Sequence, residues 1–383
     1  MFLRDSKKKR ERIIALDLLR GTFLVVIFIN HIGWSPTLFD IFTGRSHLFA
    51  SAAEGFFAIS GVLVGYIYGP RILKKTMETF THLLRRAGWL YILSVSFTFL
   101  YALLSLLVPP GTLRQQPGVP DIMTLIFSNL TLQYDFGWAD FLSRYAVLMV
   151  IAPFALWLVA KGRWWLVAAI SVAAWATIGQ NFYSVVTAWQ LIFVGGIIIG
   201  YYLPRIEETA KGLSPSIRRH LTTSLLTVAL ATFIISVTLT IVLPTVLGEF
   251  PNALSPAATT TFNDLVNFRF TLDQSIFARD TLAIGRIIIG TIWFASLYII
   301  YRRYEDKINS ATKGTLLLLG TNSLYVYGLQ AFILFIMDIF LAPPADADII
   351  LKTLITMNAV YIVYLATKHR ASLRGLRRKI IRV

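Results

Sequence analysis

The sequence predicts an all-α polytopic membrane protein with about ten transmembrane helices and both termini cytoplasmic. Three observations predict it. The 383 residues are 56% apolar and only 15% charged, against roughly 45–50% and about 25% in soluble domains. Apolar stretches approaching the roughly 20 residues that cross a bilayer recur along the whole chain. The basic residues alternate between connections, with 28 of the 36 Lys and Arg on one side, as short cytoplasmic loops require. The lack of cysteine excludes disulfides, a thiol nucleophile and a cysteine-ligated metal.

The first span, 14–32, follows a basic segment from Arg4 to Arg12. It contains Asp17 and Arg20 and lacks a small-residue cleavage site, so it reads as a retained helix rather than a signal peptide. Spans 48–68 and 84–108 flank Arg71, Lys74 and Lys75, with Arg85 and Arg86 at the inner start of the third. Spans 142–160 and 163–179 enclose Lys161 and Arg163, beside which Trp164 and Trp165 read as an interfacial anchor. Spans 188–203 and 222–244 flank Arg205, Lys211, Arg218 and Arg219. Spans 281–302 and 315–341 flank Arg302, Arg303, Lys307 and Lys313, and the last span, 349–367, leads into a basic tail. The chain is thus expected to be one membrane domain: a basic N-terminus at 1–12, a ten-helix bundle at 13–367 and a tail at 368–383. The net charge of +16 is then an orientation signal, so the expected partner is the bilayer and not nucleic acid. The long connections 109–141 and 245–280 fall outside, too short and polar for a second folded domain, although half-helices fit the stretch 121–135.

Eight basic residues break the alternation: Arg20, Arg45, Arg114, Arg144, Arg269, Arg279, Arg286 and Lys352. Ionisable groups inside a span cost roughly 2.5–3.5 kcal/mol at mid-helix and are functional candidates. The first span holds Asp17, Arg20, Asn30 and His31. Arg20 and His31 are eleven residues apart, so three helical turns leave only about 20° between them and they share one stripe, about 16 Å apart along the axis. Asp17 is spaced to pair with Arg20. Glu54, about two turns into the second span from the outer side, lies at a depth similar to His31 and could orient its imidazole. The competing structural readings are an interhelical hydrogen bond for His31, a scaffold pair for Asp17 and Arg20, and a solvated Glu54.

Other patterns read as architecture. Gly61, Gly65 and Gly69, and Gly196 with Gly200, have the small-xxx-small spacing of close helix packing. Asn129-Leu130-Thr131 is formally a glycosylation sequon, a weak signal alone. Five histidines without ligand spacing argue against a catalytic metal.

The run LDLLRGTFLVVIFINH, Leu16 to His31, resembles the first helix of acyltransferase-3-type membrane acyltransferases, in which an arginine and a histidine are separated by ten residues. SAAEGFFAISG at Ser51–Gly61, LSRYAVLMVIAPFAL at Leu142–Leu156, AWQLIFVGGIIIG at Ala188–Gly200 and LGTNSLYVYGLQ at Leu319–Gln330 resemble OpgC-type proteins, which succinylate osmoregulated periplasmic glucans. The resemblance implies a multi-pass protein of a bacterial inner membrane, an acyl-CoA donor reached from the cytoplasm, no permanently bound cofactor, and an extracytoplasmic glycan acceptor. It makes His31 the catalytic histidine and Arg20 the hallmark arginine, with Arg85 and Arg86 toward the donor phosphates. The chain departs from the pattern at Ser51, where an aspartate is common, and at Gln330, where many relatives carry histidine.

The expected function is O-acyl transfer, with succinyl as the acyl group of the nearest relatives. His31 is the general base or the site of a covalent acyl intermediate, backed by Glu54. Asp17 and Arg20 would line the donor's path, and Arg144, Trp189, Gln190 and Arg286 are candidates for the acceptor or for an acidic acyl group. The rival reading is a proton-coupled transporter of a small anionic or sugar solute, with Asp17, Glu54 and His31 as a relay. Against it, the two halves show no hydropathy symmetry. The oligomeric state stays open.

Overall fold

A bilayer offers no partner to backbone N–H and C=O groups, and a helix satisfies them internally, so the apolar runs fold as helices. The computed structural model describes residues 11–109, 121–135, 138, 140–177, 184–249, 254–341 and 348–380. Much of the expected basic N-terminus, Arg114, parts of both long connections, positions 178 and 179 of the fifth expected span, and Arg382 lie outside the described residues.

In chain order the α-helices are α1 (Ile14–Ile32), α2 (Asp40–Thr43), α3 (Ala52–Ile72), α4 (Thr76–Ser105), α5 (Ile122–Leu130), α6 (Asp140–Ala160), α7 (Trp164–Ala176) and α8 (Ser184–Gly212). They continue with α9 (Pro215–Val237), α10 (Leu243–Glu249), α11 (Pro256–Gln274), α12 (Ile284–Arg303), α13 (Glu305–Ala311), α14 (Thr315–Thr321), α15 (Ser323–Phe340) and α16 (Ile349–Ile380). A π-helical turn at Thr238–Val242 joins α9 to α10. No strand occurs among the described residues, and nine of their helices are long and apolar enough to cross a membrane. The protein is therefore an all-α polytopic membrane protein. The expected span 163–179 carries a shorter apolar helix, the 13 residues of α7.

Several helices outrun their apolar cores. α4 begins at Thr76 and not near 84, and α16 runs to Ile380, past 367, because basic and polar residues are good helix formers once they leave the hydrocarbon. The expected span 315–341 is two helices that meet at Asn322, whose side-chain amide donates to Leu318 O at 2.9 Å. The stretch 121–135 does hold a helix, α5, capped by the Asp121 side chain on Thr124 N. The 245–280 connection holds the 19-residue α11, started by Ser255 capping Ala258 N with Pro256 behind it. Its polar composition hides it from a hydropathy reading.

The chain divides into two compact units. One consists of Met1–Arg12, Phe57–Glu207 and Gly328–Pro344. Within it α4 packs along α6, and α3 crosses α8 on glycines. A Cβ on Gly61 or Gly65 would strike the carbonyls of Phe193 and Ile197, and one on Gly196 would come 2.6 Å from Ala58 O. The small-xxx-small spacings are thus a helix crossing. Asn129 of the sequon is fully buried in this unit, its amide on Val95 O at 3.1 Å, so it holds α5 to α4 and cannot accept a glycan. Tyr101 packs against Ala331 and Phe335 in an aromatic core.

The other unit consists of Ile13–Phe56, Glu208–Tyr327 and Ala345–Val383. Here α1 packs on α14, α12 and α16. The α1–α14 crossing is tight: a Cβ on Gly21 would strike Leu316 O, and one on Gly320 would strike Asp17 O. α1 ends at Gly33, whose φ of 65° is left-handed and turns the chain away just after His31.

Candidate functional site

Arg20 and His31 lie on one unbroken helix, α1, so the stripe and the axial separation of about 16 Å expected from sequence hold. Arg20 is buried, its guanidinium carbon 5.9 Å from the Phe56 ring centroid. Asp17 is buried one turn earlier, on the α14 crossing. His31 is half-buried in the last turn.

At the His31 end of α1 the second unit encloses a cavity of about 500 Å³. Its walls are the end of α1, including Ile29 and Asn30, the connection 33–47, the turn 239–244, α11 and Thr356 of α16. This is the end of α1 that the basic-residue pattern puts outside.

The connection that forms one wall is fixed by basic side chains. Arg45 Nε donates to Asp40 Oδ2 at 2.6 Å, and Thr37 donates from its backbone and its hydroxyl to the same carboxylate. Lys352 Nζ donates to Ser35 O at 3.4 Å, Arg269 Nη2 to His47 O, and Arg286 Nη1 to Leu48 O at 3.5 Å. Four of the eight basic residues that break the alternation therefore hold the one stretch 35–48, where otherwise unpaired loop carbonyls would be costly to bury. Arg269 also pairs with Asp273 and donates to Thr240 Oγ1 at 3.2 Å, and it lies 5.1 Å from the Phe49 ring centroid. Burial lowers the pKa of His47 below its usual 6.5; Asp273 opposes this, and Arg269, Arg279 and Arg286 reinforce it.

Glu54 has a different partner from the one expected. One carboxylate oxygen accepts from Arg286 Nε, the other from Ser51 N at 2.8 Å and from the Ser51 hydroxyl. Glu54 is thus bound to Arg286 and Ser51 rather than to His31. Ser51-Ala-Ala-Glu54 is half of a capping box, with the third-position glutamate reaching back to the cap N–H. That motif is legible in the sequence and explains why a glutamate opens α3. Arg286, expected near substrate, is buried and also donates to Phe277 O at 3.2 Å.

The remaining candidates lie in the first unit. Arg86 Nη2 donates to Tyr145 Oη at 3.0 Å, with its guanidinium 5.7 Å from that ring's centroid, while Arg85 is exposed. Arg144 pairs with Asp140 at 3.1 Å. Gln190 is buried and clasps Ser171, accepting from its hydroxyl and donating to its carbonyl, both at 2.7 Å, which ties α8 to α7. Trp189 is buried edge-on to Phe57, ring centroids 5.3 Å apart. A further polar cluster here escaped the sequence reading: Asp135 accepts from the Ser143 hydroxyl at 2.6 Å, and burial raises its pKa.

The chain matches the family described as OpgC protein over residues 12–374, which bears out the resemblance in its sequence blocks. No curated protein and no solved structure matches it.

Proposed function

The chain belongs to the OpgC family, and from that premise we propose that it is a membrane O-acyltransferase that moves an acyl group from cytoplasmic acyl-CoA to a hydroxyl of an extracytoplasmic glycan. Family membership points to a membrane acyltransferase that modifies a glucan. The donor, the acceptor and the role of His31 are our reading. The observation that carries it is the cavity of about 500 Å³ whose wall includes Asn30, next to His31 at the end of α1. A cavity of that volume is in the range of small-molecule sites.

In this reading the His31 imidazole accepts the proton of a sugar hydroxyl as its oxygen attacks the thioester carbonyl. A carbon–oxygen bond forms, the carbon–sulfur bond breaks, and the proton passes from His31 to the departing thiolate. Arg20, buried on the same face of α1, serves the donor within the membrane. Arg85, exposed in the third turn of α4, offers a guanidinium fork to donor phosphates. Because Glu54 is taken up by Arg286 and Ser51, its part is to fix the start of α3, and the base acts without it.

Purified protein in proteoliposomes should release CoA thiol only when glycan is present, with ester appearing on the glycan by mass spectrometry. His31→Ala should lower transfer by at least about a hundredfold while leaving folded protein. Wild-type transfer rates in that variant would sink the reading.

A further inference from the structure

The polar atoms of the cavity wall are not all spent on the protein. Thr356 is 1% exposed, yet its Oγ1 has no hydrogen-bond partner among the described residues. This is unusual for a helical threonine. Thr353 and Thr367 on the same helix return their hydroxyls to Ile349 O and Val363 O, each at 2.7 Å. Asn30 donates from Nδ2 to Thr43 O at 3.2 Å, which fixes the amide and leaves its buried Oδ1 without a partner. Both residues line the cavity, on α16 and α1. A buried hydroxyl or amide oxygen left unmatched costs about 1–3 kcal/mol, so a ligand that meets both has a clear source of affinity.

Charge narrows the ligand class. The ionic side chains of the wall are Asp40 with Arg45 and Arg269 with Asp273, two internal pairs whose charges cancel. An anionic ligand would have to break a pair or sit beside a carboxylate. An uncharged polyol meets no such cost, because ion-paired side chains still offer N–H and oxygen positions to hydroxyls. Phe270, exposed in the same wall, adds an apolar ring face for the C–H side of a sugar.

From this geometry we infer that the cavity is the acceptor subsite, that it takes an uncharged sugar unit, and that Asn30 and Thr356 are the residues that read its hydroxyls beside the reacting one. The inference rests on the acyl-transfer reading above.

The test uses full-length protein in proteoliposomes with succinyl-CoA and two acceptors, a neutral gluco-oligosaccharide and the same oligosaccharide oxidised to carry carboxylates at C6. Thr356→Val keeps the shape and removes the hydroxyl. It should raise the KM for neutral acceptor about tenfold, while kcat and the KM for succinyl-CoA stay within about twofold. Thr356→Ser should restore the wild-type value. The oxidised acceptor should show a KM at least about tenfold higher with wild-type protein. An unchanged acceptor KM in Thr356→Val, or equal use of both acceptors, overturns the inference. If wild-type protein transfers nothing from succinyl-CoA or from acetyl-CoA supplied in its place, the acyl-transfer reading fails, and equilibrium binding of the radiolabelled neutral oligosaccharide then tests the subsite alone. Binding about tenfold tighter to wild type than to Thr356→Val supports it, and equal or absent binding overturns it.

Discussion

Glu54 and Arg286, 232 residues apart in sequence, form a buried ion pair in which the two side chains are only 5% and 2% exposed. The pair joins the start of α3 to the start of α12, and Arg286 also reaches the carbonyls of Leu48 and Phe277. Breaking such a pair from one side leaves an uncompensated buried charge and costs about 3–5 kcal/mol, whereas replacing both partners by apolar groups is often near neutral. Glu54→Leu alone should therefore be strongly destabilising in SDS-induced unfolding from mixed micelles. Glu54→Leu with Arg286→Met should recover much of the loss. A double variant as unstable as the sum of the two singles would refute the pairing.

The α1–α14 crossing makes a second prediction. A methyl on Gly320 would meet Asp17 O and lie 2.9 Å from Gly21 N, all backbone atoms that cannot step aside. Gly320→Ala should force the helices apart at about 1–3 kcal/mol, and it should depress acyl transfer because Asp17 and Arg20 stand on the displaced stretch of α1. A methyl on Gly88 of α4 would meet nothing within 4 Å, so Gly88→Ala is the control and should be neutral or slightly stabilising. Equal effects of the two substitutions, measured by melting and by transfer rate, would remove close packing as the reason for Gly320.

What the sequence made legible follows from which interactions are local. Apolar length and the alternation of basic residues predict the membrane helices, and the spacing from Arg20 to His31 predicts their shared stripe, because helical geometry is set within one segment. The glycine spacings at Gly61 and Gly196 predict a crossing because close backbone approach needs small residues wherever the partner lies. Partner choice was not legible. Glu54 could be placed at the depth of His31, but its engagement by Arg286 depends on α12, far along the chain. The same holds for Arg45, Arg269 and Lys352: their departure from the alternation was visible in sequence, and the segment they hold was not. α11 was missed because its composition is polar, although Ser255-Pro256 at its start was a readable cap.

His47 supplies a pH dependence. Its pKa lies below the usual 6.5 in the folded protein, first through burial and also through Arg269, Arg279 and Arg286, with Asp273 opposing. The unfolded chain therefore binds this proton more readily. Stability from the neutral imidazole is present above about 6.5 and is lost as pH falls through the lowered folded value. His47→Gln should remove that component. The melting temperature of wild type relative to His47→Gln should be flat from pH 8 to 7 and should fall steadily below about 6.5. A difference that grows in favour of wild type on acidification would contradict the sign.

Arg85 and Arg86 are neighbours in sequence with different surroundings, so their substitutions should separate. Arg86 is bonded to Tyr145 Oη at 3.0 Å and lies against that ring, whereas Arg85 is exposed. Arg86→Ala should lower the melting temperature, and Tyr145→Phe should reproduce part of that loss, about 1.5–3 kcal/mol for one hydrogen bond to a charged donor. Arg85→Ala should leave melting unchanged and, if the exposed guanidinium meets the donor phosphates, raise the KM for acyl-CoA about tenfold by removing one charge-assisted contact. Arg85→Lys should recover only part of that loss, because an ammonium supplies the charge without the bidentate fork. A KM for acyl-CoA that is unmoved in Arg85→Ala, with transfer otherwise intact, would take Arg85 out of the donor site.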